Sequence, residues 1–79
     1  MGKLTPKQRR VLECAAAATE NEPTTPTQIG QACGKAYPQA SSWAVGALNW
    51  LRDNNLVVYR PGGKCWATDR GHRALEQTS

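Results

Sequence analysis

Residues 48–71 read LNWLRDNNLVVYRPGGKCWATDRG, and this stretch decides the fold. Leu56-Val57-Val58-Tyr59-Arg60 has the β-branched and aromatic content of a strand. Pro61-Gly62-Gly63 is a turn, and Lys64-Cys65-Trp66-Ala67-Thr68 is the returning strand. The stretch therefore predicts a β-hairpin whose tip is flanked by Arg60 and Lys64. Leu48 and Leu51, ahead of it, belong to a helix that closes at Asn54-Asn55, because Asn tolerates the left-handed conformation that ends a helix. Thr68 caps a last short helix carrying Gly71, Ala74 and Leu75. Alternation along the second strand puts Cys65 and Ala67 on one side and Trp66 on the other. Which side faces the helices stays open, although the bulk of Trp66 argues for turning it inward.

Toward the N-terminus, the helix before the hairpin begins near Ala40 or Ser41, and Ala44, Ala47, Leu48 and Leu51 form its apolar stripe. A turn over 35–39 contains Tyr37-Pro38. Before it, Thr25-Pro26-Thr27-Gln28 is a helix start: a cap, a proline at the first helical position and a capping-box Gln. The helix it opens is short, with Ile29, Ala32 and Cys33 on one face and Gly34 as its stop. Leu4-Thr5-Pro6-Lys7-Gln8 carries the same signal, opening a first helix to about Thr19 with Val11, Leu12, Ala15 and Ala18 on its inner face. Glu20-Asn21-Glu22-Pro23 breaks that helix, and Pro23-Thr24 has room for a brief strand. The tail Gln77-Thr78-Ser79 is expected to fray.

With 79 residues, the chain reads as one domain spanning 1–79, its core about 4–76. No run approaches the roughly 20 apolar residues that cross a bilayer, and Met1 to Pro6 lacks the apolar stretch of a signal peptide, so a cytoplasmic location is expected. The three cysteines, Cys14, Cys33 and Cys65, are odd in number and far apart in sequence, which suits neither a disulfide framework nor a CxxC metal site. With His72 the lone histidine, no pair stands at ligand spacing, and reduced thiols without metal or cofactor are expected. Catalysis has no nucleophile–base pair, phosphate-binding Gly loop or carboxylate pair to rest on. A net charge of +4 favours an acidic partner such as nucleic acid.

Residues 4–75 resemble the winged-helix domains of bacterial and phage MarR-like transcription regulators. Thr25-Pro26-Thr27-Gln28-Ile29-Gly30 is similar to the opening of that family's second helix, with a small residue where two helices nearly touch. LNWLRDNNLV over 48–57 resembles its core Leu, Leu-Glu-Glu-Lys, Gly-Leu-Val pattern, with Asn55 where Gly is usual. Ala67-Thr68-Asp69-Arg70-Gly71, followed by Leu75, is similar to its Leu-Thr-x-x-Gly-x-x-x-Leu segment, with Ala67 for Leu. The resemblance implies a mainly α fold with a small β-hairpin (α+β): a winged helix-turn-helix with a three-helix core, a two-stranded wing and a short C-terminal helix. It also implies that Cys65 and Ala67 turn inward.

In such a fold the second helix of the motif enters the major groove and its N-terminal residues meet base edges. Gln39, Ser41, Ser42, Trp43, Val45, Gly46 and Asn49 are the candidates, Gln and Asn for adenine and Ser for either base type. Arg60 and Lys64 on the wing suit the phosphate backbone. No Arg or Lys stands on that helix before Arg52, which is unusual for a base-reading element. Further cations at Lys3, Lys7, Arg9, Arg10, Arg70 and Arg73 suit flanking backbone or plain solvent exposure. Double-stranded DNA is the leading partner, and the expected role is a small transcription regulator, as monomer or homodimer. The alternative is a protein-interaction winged helix docking through Trp43 and Trp50, with Trp50 the more buried of the two and Trp43 free at the surface. Trp66 after the wing also resembles winged helices that bind left-handed duplex, but Val45 and Asn49 stand where that family's Asn and Tyr would fall.

Overall fold

The computed structural model describes residues 4–36 and 38–77. The order is α1 (Pro6–Ala16), α2 (Pro26–Ala32), α3 (Gln39–Asp53), β1 (Val57–Arg60), β2 (Lys64–Ala67) and α4 (Asp69–Gln77). Helix starts follow the local signals. At α1 the Thr5 hydroxyl accepts from the Gln8 N–H at 3.1 Å and the Gln8 side chain accepts from the Thr5 N–H at 3.0 Å, a complete capping box. At α2 only half of the expected box forms. Thr25 Oγ1 accepts from the Gln28 N–H at 3.2 Å, but Gln28 Oε1 takes its proton from the hydroxyl of Thr24 instead.

Helix α1 stops at Ala16, short of the expected Thr19. Thr19 and Glu22 exchange backbone hydrogen bonds, both 3.1 Å, and Thr19 Oγ1 accepts a further one from the Glu22 N–H. That closed turn takes Thr19 out of the helix. Beyond it, the brief strand at Pro23-Thr24 contracts to a single bridge, in which Thr24 and Cys65 exchange two backbone bonds of 2.9 Å.

Both inner helices end in the same way. In α2 the Gly34 N–H donates to Gln31 and the Lys35 N–H to Gly30, with Gly34 at φ +86°. In α3 the Asn55 N–H donates to Arg52 and the Leu56 N–H to Leu51, with Asn55 at φ +61°. These are Schellman motifs, in which a left-handed residue lets the last carbonyls find donors. Asn55 thus does the work expected of it where glycine is more usual. Helix α3 starts at Gln39, one residue early, and no side chain caps it. Tyr37, in the turn ahead, lies outside the described residues, as do Lys3 and the last two residues of the tail expected to fray.

The hairpin pairs Val57 with Ala67, Val58 with Trp66, Tyr59 with Cys65 and Arg60 with Lys64. Cys65 and Ala67 point into the core, and Trp66 lies half-buried on the other side. Inward packing of Trp66 fails because Cys65 must sit under the Thr24 bridge, where its thiol also donates to the Thr24 carbonyl at 3.4 Å. Thr68 then closes the base of the hairpin. Its hydroxyl donates to the Asn55 carbonyl at 2.7 Å and accepts from the Gly71 N–H at 3.1 Å, capping α4.

The core gathers Val11, Leu12, Ala15, Ile29, Ala44, Ala47, Leu48, Leu51, Leu56, Val57, Cys65 and Ala67, with no buried polar or charged residue among those described. In α2 the inner face is Pro26, Ile29, Gly30 and the half-buried Cys33. Ala32, expected there, is exposed, because a period of 3.6 carries it off the stripe that starts at Pro26. Gly30 faces the α3 backbone so closely that a Cβ would overlap the Ala40 carbonyl, whereas Gly46 opens to free space. We therefore expect Gly30→Ala to destabilise by about 2–3 kcal/mol through overpacking. Gly46→Ala should be neutral or stabilise by up to about 1 kcal/mol through helix propensity. Paired thermal melts check this, and equal midpoints for the two variants would contradict the close approach.

Candidate nucleic-acid interface

Helix α3 buries Ala40, Ala44, Ala47, Leu48 and Leu51. The opposite face, by helical spacing, carries Ser42, Val45, Gly46 and Asn49, with Gln39 one turn before Ser42. Gln39, Ser42 and Gly46 are exposed; Ser41, Val45 and Asn49 are half-buried. The exposed Ser42 hydroxyl donates to the Gln39 carbonyl of its own helix at 3.1 Å. No acidic residue occurs between Gln39 and Arg52. The face is polar, uncharged and shallow at Gly46.

Trp43 and Trp50 do not divide into one free ring and one core ring. Both are half-buried and pack against the edge of the core. Trp43 is also overlaid by two ammonium groups, Lys7 of α1 at 4.9 Å and Lys35 of the turn before α3 at 5.3 Å from the ring centroid. Two cations thus stand at the N-terminal end of a helix that has none of its own there. Lys7 was visible in the sequence only as a flanking charge, and Lys35 was missed altogether. The one available signal was a lysine next to the glycine that stops α2.

At the other end lies the hairpin. Its turn is held by the Gly63 N–H donating to the Arg60 carbonyl at 3.2 Å, with Gly62 and Gly63 both at positive φ. Arg60 and Lys64 are exposed and directly paired across it. The Arg60 guanidinium lies over Trp66 at 5.4 Å, and that of Arg52 over Tyr59 at 5.9 Å. Arg52, Tyr59, Arg60, Pro61, Gly62 and Gly63 line an open cleft of about 230 Å³. Asp53, 3.5 Å from Arg52, offsets part of that charge. Among the described residues no group of three or more His, Cys, Asp or Glu is placed to hold a metal ion, and no helix is long and apolar enough to cross a membrane.

No family model matches the chain, and no curated protein matches it. Among solved structures, the transcriptional repressor CouR superposes with a TM-score of 0.67 at 27% identity, over 94% of this chain and 50% of its own. A mutant form of MepR from S. aureus superposes with a TM-score of 0.67 at 19% identity, over 94% of this chain and 55% of its own. The fold is a MarR-like winged helix.

In this winged helix α2 and α3, with the segment that joins them, form the helix-turn-helix, and the hairpin is the wing. The chain spans about half the length of the two solved structures it matches. The expected site residues fall into three groups: the α3 face (Gln39, Ser42, Val45, Gly46, Asn49), the wing pair (Arg60, Lys64) and the partly packed Ser41 and Trp43. Because both Trp43 and Trp50 pack on the core, each truncation to Ala should destabilise the domain by about 2 kcal/mol, below the 3–5 of a fully buried aromatic. Urea titrations of the two variants measure this. An unchanged midpoint for Trp43→Ala would make that ring a free surface group.

Proposed function

We propose that the chain binds double-stranded DNA as a small transcription regulator, with α3 in the major groove and the wing along the phosphate backbone. The observation that carries this reading is the uncharged, acid-free outer face of α3 bracketed by cations from other elements. Lys7 and Lys35 stand at its first turns, and Arg60 and Lys64 on the wing beyond its end. Bases are read by side chains that match donor and acceptor patterns, and phosphates by cations around them. Gln39, Ser42 and Asn49 suit the first task. The description of CouR as a transcriptional repressor supports the same reading. Docking of a protein through Trp43 and Trp50 has less to rest on, since both rings pack against the core and lysines cover the first.

Fluorescence anisotropy with random and genomic duplexes, at several salt concentrations, tests the proposal. Neutralising four phosphates gives a slope of log affinity against log salt of roughly −3.6. Lys35→Ala, Arg60→Ala and Lys64→Ala should each weaken all duplexes alike and make the slope shallower by about 1. Gln39→Ala and Asn49→Ala should instead change the ranking of sequences, by about 1–3 kcal/mol at the affected base pair. No binding at low salt, or a flat salt response, would remove DNA as the partner.

A further inference from the structure

The fold also joins two cysteines that the sequence holds far apart. Cys14 lies on the last turns of α1 and Cys33 is the C-cap of α2. Nineteen positions separate them, yet their sulfurs are 3.9 Å apart. Both are free thiols and half-buried. A disulfide needs about 2.05 Å between sulfurs, so each atom has roughly an ångström to travel. Cys33 stands at the C-terminal end of its helix, ahead of Gly34 at positive φ. Cys65 is different: it is fully buried in the core, and its thiol donates to the Thr24 carbonyl.

We propose that Cys14 and Cys33 form an oxidisable dithiol site, which a hydroperoxide converts to an intramolecular disulfide joining α1 to α2. The Cys33 sulfur, as thiolate, attacks the terminal peroxide oxygen. The O–O bond breaks, the alkoxide leaves and picks up a proton as an alcohol (water, for hydrogen peroxide), and Cys33 is left as the sulfenic acid. The Cys14 sulfur then attacks the Cys33 sulfur, giving up its own proton, and the hydroxyl departs as water. Two thiols lose two electrons and two protons in all, and one hydroperoxide is reduced to alcohol and water. The order of roles follows from the surroundings of Cys14. Burial, then the adjoining Cys33 thiol, push it up to about 11, with Arg10 acting weakly the other way. Attack on the peroxide needs a thiolate, which that rise disfavours at Cys14; the second step is intramolecular, and the nearness of the two sulfurs offsets the same handicap there.

The product ties the first helix of the helix-turn-helix to α1 and closes a ring over 14–33. That ring limits the unfolded chain, so the oxidised protein should melt about 10 °C higher than the reduced one.

The test uses the full chain, independently of any DNA binding. It is treated with equimolar hydrogen peroxide, blocked with iodoacetamide while folded, and digested with trypsin without reductant. Cleavage after Arg10 and Lys35 leaves both cysteines on one peptide, 11–35. The expected product is that peptide, unalkylated and about 2 Da lighter than the dithiol, restored by dithiothreitol. Cys65→Ser should keep it, and Cys14→Ser or Cys33→Ser should abolish it. The proposal is overturned if the folded wild-type protein still alkylates at both cysteines. A covalent dimer, or Cys33 accumulating as sulfinic acid, overturns it equally. The wild-type peptide map decides even if a serine variant fails to fold.

Discussion

The backbone contact between α2 and α3 at Gly30 and Ala40 sets the rest of the structure. No Cβ fits at Gly30 because the Ala40 carbonyl occupies that space. The two helices can then lie closer than side chains normally permit, and their crossing fixes which way the outer face of α3 points. Helix α3 is built to suit. Its inner residues are small in the early turns, Ala40, Ala44 and Ala47, and large only toward the hairpin, where Leu48 and Leu51 reach the core. A larger residue at Gly30 would rotate or displace the whole face that carries Gln39, Ser42 and Asn49. Packed interiors pass on such strain because they have little free volume.

The wing is held both by burial of Val57, Cys65 and Ala67 in the core and by hydrogen bonds at its base. Hydrophobic attraction is non-directional, so the bonds sharpen its direction. Those at the hairpin base are linked: Leu56 N–H to Leu51, Thr68 N–H to Leu56, and the Thr68 hydroxyl between Asn55 and Gly71. The Thr24–Cys65 bridge holds β2 from the other side. Together these bonds make α3, the wing and the start of α4 one connected piece.

Charge is distributed by the same logic. Helix α3 carries no cation along its outer face, and the lysines at its start belong to α1 and to the turn, laid over Trp43. Trp43 is thus part core and part platform. The aromatic rings under Lys7, Lys35, Arg52 and Arg60 hold long side chains against the surface that free rotation would otherwise scatter.

The sequence by itself determined whatever depends on neighbours along the chain. The starts at Thr5 and Thr25, the stops at Gly34 and Asn55, the hairpin over Val57 to Ala67 and the Thr68 cap are all legible. Each rests on a side chain bonding its own backbone, or on a residue that tolerates positive φ. The resemblance of 48–57 and 67–75 to MarR-like domains carried the same elements to a winged helix. Tertiary structure alone decided the rest. Helix α1 ends early because Thr19 finds Glu22, Gln28 leaves its capping box because Thr24 is held beside it, and Trp66 turns away because Cys65 takes the inner place. The cations over Trp43 and the meeting of Cys14 with Cys33 join residues from different elements. Local preferences are fixed by the few bonds within reach of one residue. Contacts between elements depend on how all the helices settle against a common core, and no single segment encodes that.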